Sequence, residues 1–236
     1  MRGDTVELDP ERYDAVVFDL DGVVTDTASV HRAAWRRLFA GELGMPFTDE
    51  DYRRYVDGRP RYDGAAAFLA SRGLTMPPDR VRELADRKDE YFTELLRRDG
   101  TTAFPGTVAL LDQLAAAGVA FGLISASRHC AEVLAAAGLT GRFGAVVDGL
   151  TAAELGLPGK PDPAVFLLAA HRLGAQPRRT VVVEDALAGV EAGRAGGFGL
   201  VIGVDRTGQG AELAAHGADV VVADLSEVTV RKVAPA

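Results

Sequence analysis

The sequence is expected to fold as an α/β protein: a doubly wound parallel (Rossmann-like) sheet core carrying an inserted all-helical cap. Short Val-rich runs at residues 15–19, 119–125, 144–147, 180–184, 199–203 and 219–222 are apolar without alternation, as strands covered on both faces must be. From residue 104 onward these runs alternate with amphipathic stretches, the rhythm of a parallel sheet. Residues 29–100 break it, with Ala, Leu, Arg and Glu at helical spacing and no strand among them.

The first strand, 15–19, ends in Asp19-Leu-Asp-Gly22. The helical insertion follows, joined to the core through Thr25-Asp26-Thr27 and Asp99-Gly100-Thr101-Thr102 and divided at Thr75-Met76-Pro77-Pro78. The expected division is therefore a core of residues 1–28 and 101–236 and a cap of residues 29–100. Paired linkers of this kind make a hinge, so the cap is expected to open and close over the strand ends. Pro105-Gly106 opens the next helix, which ends near Ala117-Gly118; a helix over 128–137 stops at Gly138. Pro163 suits a first helical turn, and the run 164–173 ends at Gly174. Active groups of such sheets collect at the carboxyl ends of strands, where Asp19, Ser125 and Glu184-Asp185 all fall.

Composition narrows the function. The 236 residues are 47% hydrophobic, enough for a sizeable core, and carry a formal charge of −8 with no basic block, which argues against a nucleic-acid partner. One cysteine, Cys130, allows no internal disulfide and is expected to be a packed, inert thiol. The first ten residues lack the apolar stretch of a secretory signal and no segment is apolar enough to span a membrane, so a cytoplasmic location without membrane contact is expected. No long unpaired strand is evident, and a monomer is expected.

Residues i and i+2 of a strand point the same way, so Asp19 and Asp21 crowd like charges at a sheet edge. A hard divalent cation, Mg²⁺, relieves that crowding with its preference for carboxylate and water oxygens. Ser125, in Leu-Ile-Ser-Ala-Ser-Arg, offers a hydroxyl beside exposed backbone N–H groups suited to phosphate oxygens; Lys160 is a cation in a Pro-stiffened loop; Glu184 and Asp185 supply further metal oxygens. Each feature has a plainer alternative. Glu184-Asp185 suits a helix N-terminus, Ser125 and Ser127 suit helix caps, and Lys160 alone suits a surface. His31 and Trp35, four apart on one helical face, suit a packing pair, and Arg61 among Arg53, Arg54, Arg59 and Arg72 suits a solvated face. His171 and His216 are expected at the surface or in structural roles.

Taken in order along the chain, these motifs resemble the haloacid dehalogenase-like phosphotransferases. The stretch from Asp19 to Trp35, with Thr27 and His31, resembles the β-phosphoglucomutase-like branch. The resemblance implies that Asp19 is the nucleophile forming an aspartyl phosphate and that Asp21 is the general acid and base. It implies Mg²⁺ held by Asp19, the backbone carbonyl of Asp21, Glu184 and Asp185, with Lys160 and Ser125 on the phosphoryl oxygens. His31 would hold Asp21 back until the cap closes. Arg61 would grip the phosphate not being transferred, Lys88 would lie near the sugar, and Ser127, Ala126 and Thr27 would line the substrate. The implied partners are glucose phosphates, β-glucose 1-phosphate and glucose 6-phosphate exchanging through glucose 1,6-bisphosphate. His129 stands where the branch has an amide, Arg59-Pro60 alters the Arg61 loop, and residues 149–159 lengthen the approach to Lys160; these put the identity of the sugar in doubt. A sugar-phosphate phosphatase uses the same core residues. A non-catalytic phosphosugar-binding module would have lost Asp19, Asp21 or Lys160, and all are present.

Overall fold

From the amino end, the computed structural model, which describes residues 5–232, forms β1 (Val6–Leu8), β2 (Ala15–Asp19) and α1 (Ala28–Arg36), the last continuing as a π-helical segment over Arg37–Glu42. α2 (Asp49–Asp51) runs into a second π-helical segment, Tyr52–Val56, before α3 (Arg61–Ser71), α4 (Pro78–Asp99) and α5 (Pro105–Ala116). Then come β3 (Ala120–Ile124), α6 (Cys130–Ala136), β4 (Ala145–Val147), α7 (Gly149–Glu154), α8 (Ala164–Arg172), β5 (Thr180–Glu184), α9 (Leu187–Ala195), β6 (Leu200–Val204), α10 (Gly210–His216), β7 (Val220–Val222) and β8 (Val228–Val230).

β2 to β7 form one parallel sheet in the order β4-β3-β2-β5-β6-β7. The chain steps outward from β2 through β3 to β4, then returns to the other side of β2 for β5. The order therefore reverses between β2 and β5, the place where open parallel sheets bind ligands. Register brings the chemistry to one edge: Asp19 pairs with Ile124, just before Ser125, and Phe18 pairs with Val183, just before Glu184. Both sheet faces are covered, which is why the strands read as unbroken apolar runs. Val16 and Phe18 pack among Leu110, Leu111 and Leu114 of α5 and Val133 and Leu134 of α6. Val17, Ile124 and Val182 pack on the other face among Phe166 and Ala169 of α8, Val190 of α9 and Leu213 of α10. A separate parallel pair, β1 with β8, lies outside the expected strands, each run being too short to signal itself.

The helices from α1 to α4 build their own apolar cluster around Trp35, Leu38, Phe39, Phe47, Phe68 and Leu84. Phe39 lies 5.2 Å from Phe47 and 4.2 Å from Phe68, ring centre to ring centre. The break expected at 75–78 is present, with Pro78 opening α4, but the chain also breaks after residues 42 and 56. The linkers are hydrogen-bonded to each other, the Asp26 N–H donating to the Thr102 carbonyl at 3.2 Å and Phe104 N–H to Val24 at 3.0 Å. Among the described residues, no helix is long and apolar enough to cross a membrane. Phe68 is fully buried against Phe39, Phe47 and Tyr55. Phe68→Ala is expected to destabilise the protein by about 3–5 kcal/mol in urea unfolding, with the loss confined to the helical cap.

Candidate active site

Lys160 is the centre of the strand-end cluster. Its Nζ donates to Asp19 Oδ1 at 2.5 Å and to Glu184 Oε1, and all three side chains are buried. Glu184 is fixed further by accepting the backbone N–H groups of Asp185 (2.9 Å) and Ala186 (2.8 Å), while Asp19 Oδ2 accepts from the Asp21 N–H at 2.8 Å. Two glycines make room. Gly22 sits at φ +89°, and a β-carbon there would overlap the Asp185 carboxylate. A β-carbon on Gly189 of α9 would overlap Glu184.

This cluster holds more negative charge than Lys160 offsets. Burial, then Glu184 and Asp21, push the Asp19 carboxyl well above its ordinary range against the pull of Lys160. Burial beside Asp57, Glu184 and Asp19 does the same to Asp185. Burial raises Asp57, which stands beside Tyr52 on the cap, to about 7. Lys160 is raised in answer and stays charged, its neighbours Asp19 and Glu184 outweighing its burial. The donor set fits a hard dication: carboxylate oxygens at a strand end with an excess of buried negative charge. Among the described residues, no three side chains of metal-ligating type converge as a ready-made cage. Mg²⁺ commonly takes one or two carboxylates and fills its sphere with water and phosphate oxygens, so the two observations agree.

Asp21 belongs to a second network. Its Oδ1 accepts from the Thr27 hydroxyl and faces His31 Nε2 at 3.5 Å; its Oδ2 accepts from the Ser125 hydroxyl at 3.3 Å. Burial opposes, but His31, Thr27 and Lys88 together hold the Asp21 carboxyl down at about 2. Lys88 on α4 donates to His31 Nδ1 at 2.6 Å, which leaves the His31 proton on Nε2, facing Asp21. Burial and the Lys88 charge lower His31, so its ring is neutral near pH 7, and burial lowers Lys88 to about 8. The plainer reading of His31 also applies, since its ring stacks on Phe92 at 4.1 Å. Trp35 stacks on Phe39 in the cap cluster.

The cap closes over the strand ends around a cavity of about 330 Å³, at the small end of ligand pockets. It brings Asp19, Asp21, His31, Arg61, Lys88, Ser125, Ala126, Ser127, Lys160 and Asp185 to one space. Thr27 and Glu184 are fully buried behind that surface, Thr27 bonded to Asp21 and Glu184 to Lys160. Lys88 is 3% exposed and engaged with His31, and Ser127 caps a turn by accepting the His129 N–H at 3.1 Å. Arg61 is not on a solvated face: its guanidinium bonds Asp86 at 3.0 Å and Asp89 at 2.6 Å, and its Nε–H is buried without an acceptor. Residues 149–159 form α7 and a loop that walls the cavity through Ala152, Leu157 and Gly159. Cys130 is free, buried and raised by burial, as an inert thiol should be; His171 and His216 are exposed.

Asp57 and Asp89 are lining residues that sequence analysis missed. Asp57-Gly58 is a turn signal that marks a chain reversal, but nothing local says that the reversal faces a sheet edge. Asp89 follows Lys88 on a helix rich in charge, where one acid carries no distinction.

Residues 13–197 match the haloacid dehalogenase-like hydrolase family. The chain is 44% identical over 242 residues to the β-phosphoglucomutase of Mycobacterium bovis, covering 93% of this chain and 92% of the relative. It is 34% identical over 191 residues to a fructose-1-phosphate phosphatase of Escherichia coli, covering 81% of this chain and 96% of that one. The crystal structure of a β-phosphoglucomutase from Clostridium difficile superposes with a TM-score of 0.78 at 27% identity, covering 91% and 92% of the two chains.

Alanine in place of a helical glycine ordinarily stabilises by roughly 0.5–1 kcal/mol. Gly189→Ala is expected to do the opposite, because the added methyl displaces Glu184 from Lys160. Urea unfolding should show a loss of about 3–5 kcal/mol, the cost of breaking a buried ion pair.

Proposed function

Because this chain belongs to the haloacid dehalogenase-like hydrolase family, we propose that it is a Mg²⁺-dependent phosphotransferase that moves a phosphoryl group between two oxygens of one sugar by way of Asp19. Its substrates in this reading are β-glucose 1-phosphate and glucose 6-phosphate, with glucose 1,6-bisphosphate between them. The observation that carries it is the presence of separate cations in one cavity: Lys160 beside Asp19, and Arg61 with its own acid partners and a buried N–H lacking an acceptor. A bisphosphate needs a place for each phosphate.

Asp19 attacks phosphorus and the bond from phosphorus to the sugar oxygen breaks, leaving an aspartyl phosphate. Lys160 and Ser125 meet the charge on the transferring oxygens. From the aspartyl phosphate, Asp21, ionised in the resting arrangement, takes the proton of a sugar hydroxyl as that oxygen attacks phosphorus and the bond to Asp19 breaks, giving the bisphosphate. When Asp19 then attacks the other phosphate, Asp21 gives the proton to the departing sugar oxygen. His31, with its tautomer set by Lys88, orients Asp21 by its Nε2–H. Asp19, Asp185, the backbone carbonyl of Asp21 and Glu184 would hold Mg²⁺. When bound, the ion supplies charge neutralisation for the phosphoryl group and its carboxylate acceptor. The cap helices exclude water from the phospho-enzyme. The likeness to a sugar-phosphate phosphatase supports a second reading, with water as the acceptor and the same Asp19 chemistry.

Incubation with Mg²⁺, β-glucose 1-phosphate and a trace of glucose 1,6-bisphosphate separates the two. Glucose 6-phosphate with little free phosphate is expected; free phosphate without glucose 6-phosphate makes the protein a phosphatase. Asp19→Asn is expected to abolish turnover, and Arg61→Ala to lower mutase kcat/KM by about 100-fold, as loss of a charged oxyanion partner does. Mutase activity untouched in Arg61→Ala would contradict the second phosphate site.

A further inference from the structure

We propose that His129 is a positioning residue for Arg61, acting across the junction of cap and core through Asp89; the inference rests on the reading of Arg61 as a phosphate-binding residue. Asp89 Oδ2 is shared. It accepts from Arg61 Nη1 at 2.6 Å, within the cap, and from His129 Nε2 at 3.1 Å, which belongs to the turn before α6 in the core. His129 Nδ1 meets Glu132 at 3.1 Å, so both ring nitrogens face carboxylates, an arrangement that favours the doubly protonated ring. The backbone N–H of His129 donates to Ser127, whose own N–H donates to Ser125. A continuous line of hydrogen bonds thus runs from the serine loop to the Arg61 guanidinium, and it is complete only when the cap meets the core.

The line has a chemical purpose. Arg61 is tied at Nη1 to Asp89 and at Nη2 to Asp86 and Tyr62, which leaves the second Nη1–H for a ligand oxygen, the Nε–H being buried. Asp89 held from the core side fixes where that Nη1–H stands relative to Ser127. The groups facing His129 are Asp89 and the Phe92 ring on α4, with Lys88 beside them, Glu132 on its own helix, Arg61 through Asp89, and Arg128 next in the chain. Asp89 raises His129 above its ordinary 6.5, with Glu132 adding to it against burial. A raised value means that the bridge carries its full charge at low pH and weakens to a neutral Nε2–H hydrogen bond as pH rises through the folded-state value.

The test is kinetic and spectroscopic. KM and kcat for β-glucose 1-phosphate are measured from pH 7 to 9, where the substrate phosphate is already a dianion, in wild type, His129→Ala and His129→Gln. Wild-type KM is expected to rise with pH. His129→Ala should show a KM raised on the order of tenfold at pH 7, the loss of one charge-assisted hydrogen bond, with kcat at saturation little changed. His129→Gln, whose amide nitrogen reaches the Nε2 position and donates at any pH, should restore KM without the rise. Lys88 titrates in the same range, so the comparison of wild type with His129→Gln isolates the bridge. In parallel, NMR titration of the His129 ring should give a pKa above 6.5 that falls in Asp89→Asn. Wild-type KM and pH profile in His129→Ala, or an unchanged ring titration in Asp89→Asn, would overturn the proposal. Should no hexose phosphate turn over, the reaction reading fails by itself, and the ring titration still decides whether the bridge exists.

Discussion

One buried ammonium, that of Lys160, holds the strand ends together, and the rest of the site is arranged by its insufficiency. It bonds Asp19 and Glu184, the terminal residues of strands adjacent in the sheet, while Asp21, Asp57 and Asp185 add charge that it does not neutralise. Neighbouring parallel strands in register necessarily bring their last side chains together. Such a pair is costly to bury and costlier to break, and it stabilises only where every partner atom is satisfied. Glu184 meets that condition with Lys160 and two backbone N–H groups; Asp185 gains no comparable cation. The fold leaves negative charge unbalanced at the strand ends.

The cap supplies the remaining electrostatics. Lys88 and His31 come from helices α4 and α1 and converge on Asp21, while Thr27, at the hinge, takes the other side of the same oxygen. Asp21 is therefore held by groups whose positions depend on the cap. Rotation of the cap about the paired linkers changes its surroundings without disturbing Asp19, Lys160 or Glu184, all of which belong to the sheet. In the proposed reaction, this division would keep the residue that takes the phosphoryl group apart from the one that carries the proton.

The legible parts of the sequence were those set by local pattern. Unbroken Val runs gave the parallel strands, and their acidic ends gave Asp19 and Glu184, because strand periodicity and switch-point topology act on neighbours in the chain. Thr75 to Pro78 marked one cap break by its prolines; the π-helical segments after Arg36 and Asp51 carry no such punctuation. β1 and β8 are three-residue runs that form only by pairing with each other across the chain. Asp57, Asp89 and the bridge to His129 were likewise not legible, since each depends on where the cap docks. Lys160 was found by motif order, yet its place between Asp19 and Glu184 is a three-dimensional fact.

The central claim is that the strand-end carboxylates are buried in excess of their cations. It is tested most directly by the melting temperature of metal-free protein at pH 6 and pH 8, with and without Mg²⁺. Carboxyls whose folded values are raised, Asp19, Asp185 and, at about 7, Asp57, favour folding while protonated and lose that contribution as pH rises through those values. The account predicts a lower melting temperature at pH 8 than at pH 6 without metal, and a larger stabilisation by Mg²⁺ at pH 8. The same Mg²⁺ increment at both pH values, or none at either, would contradict it.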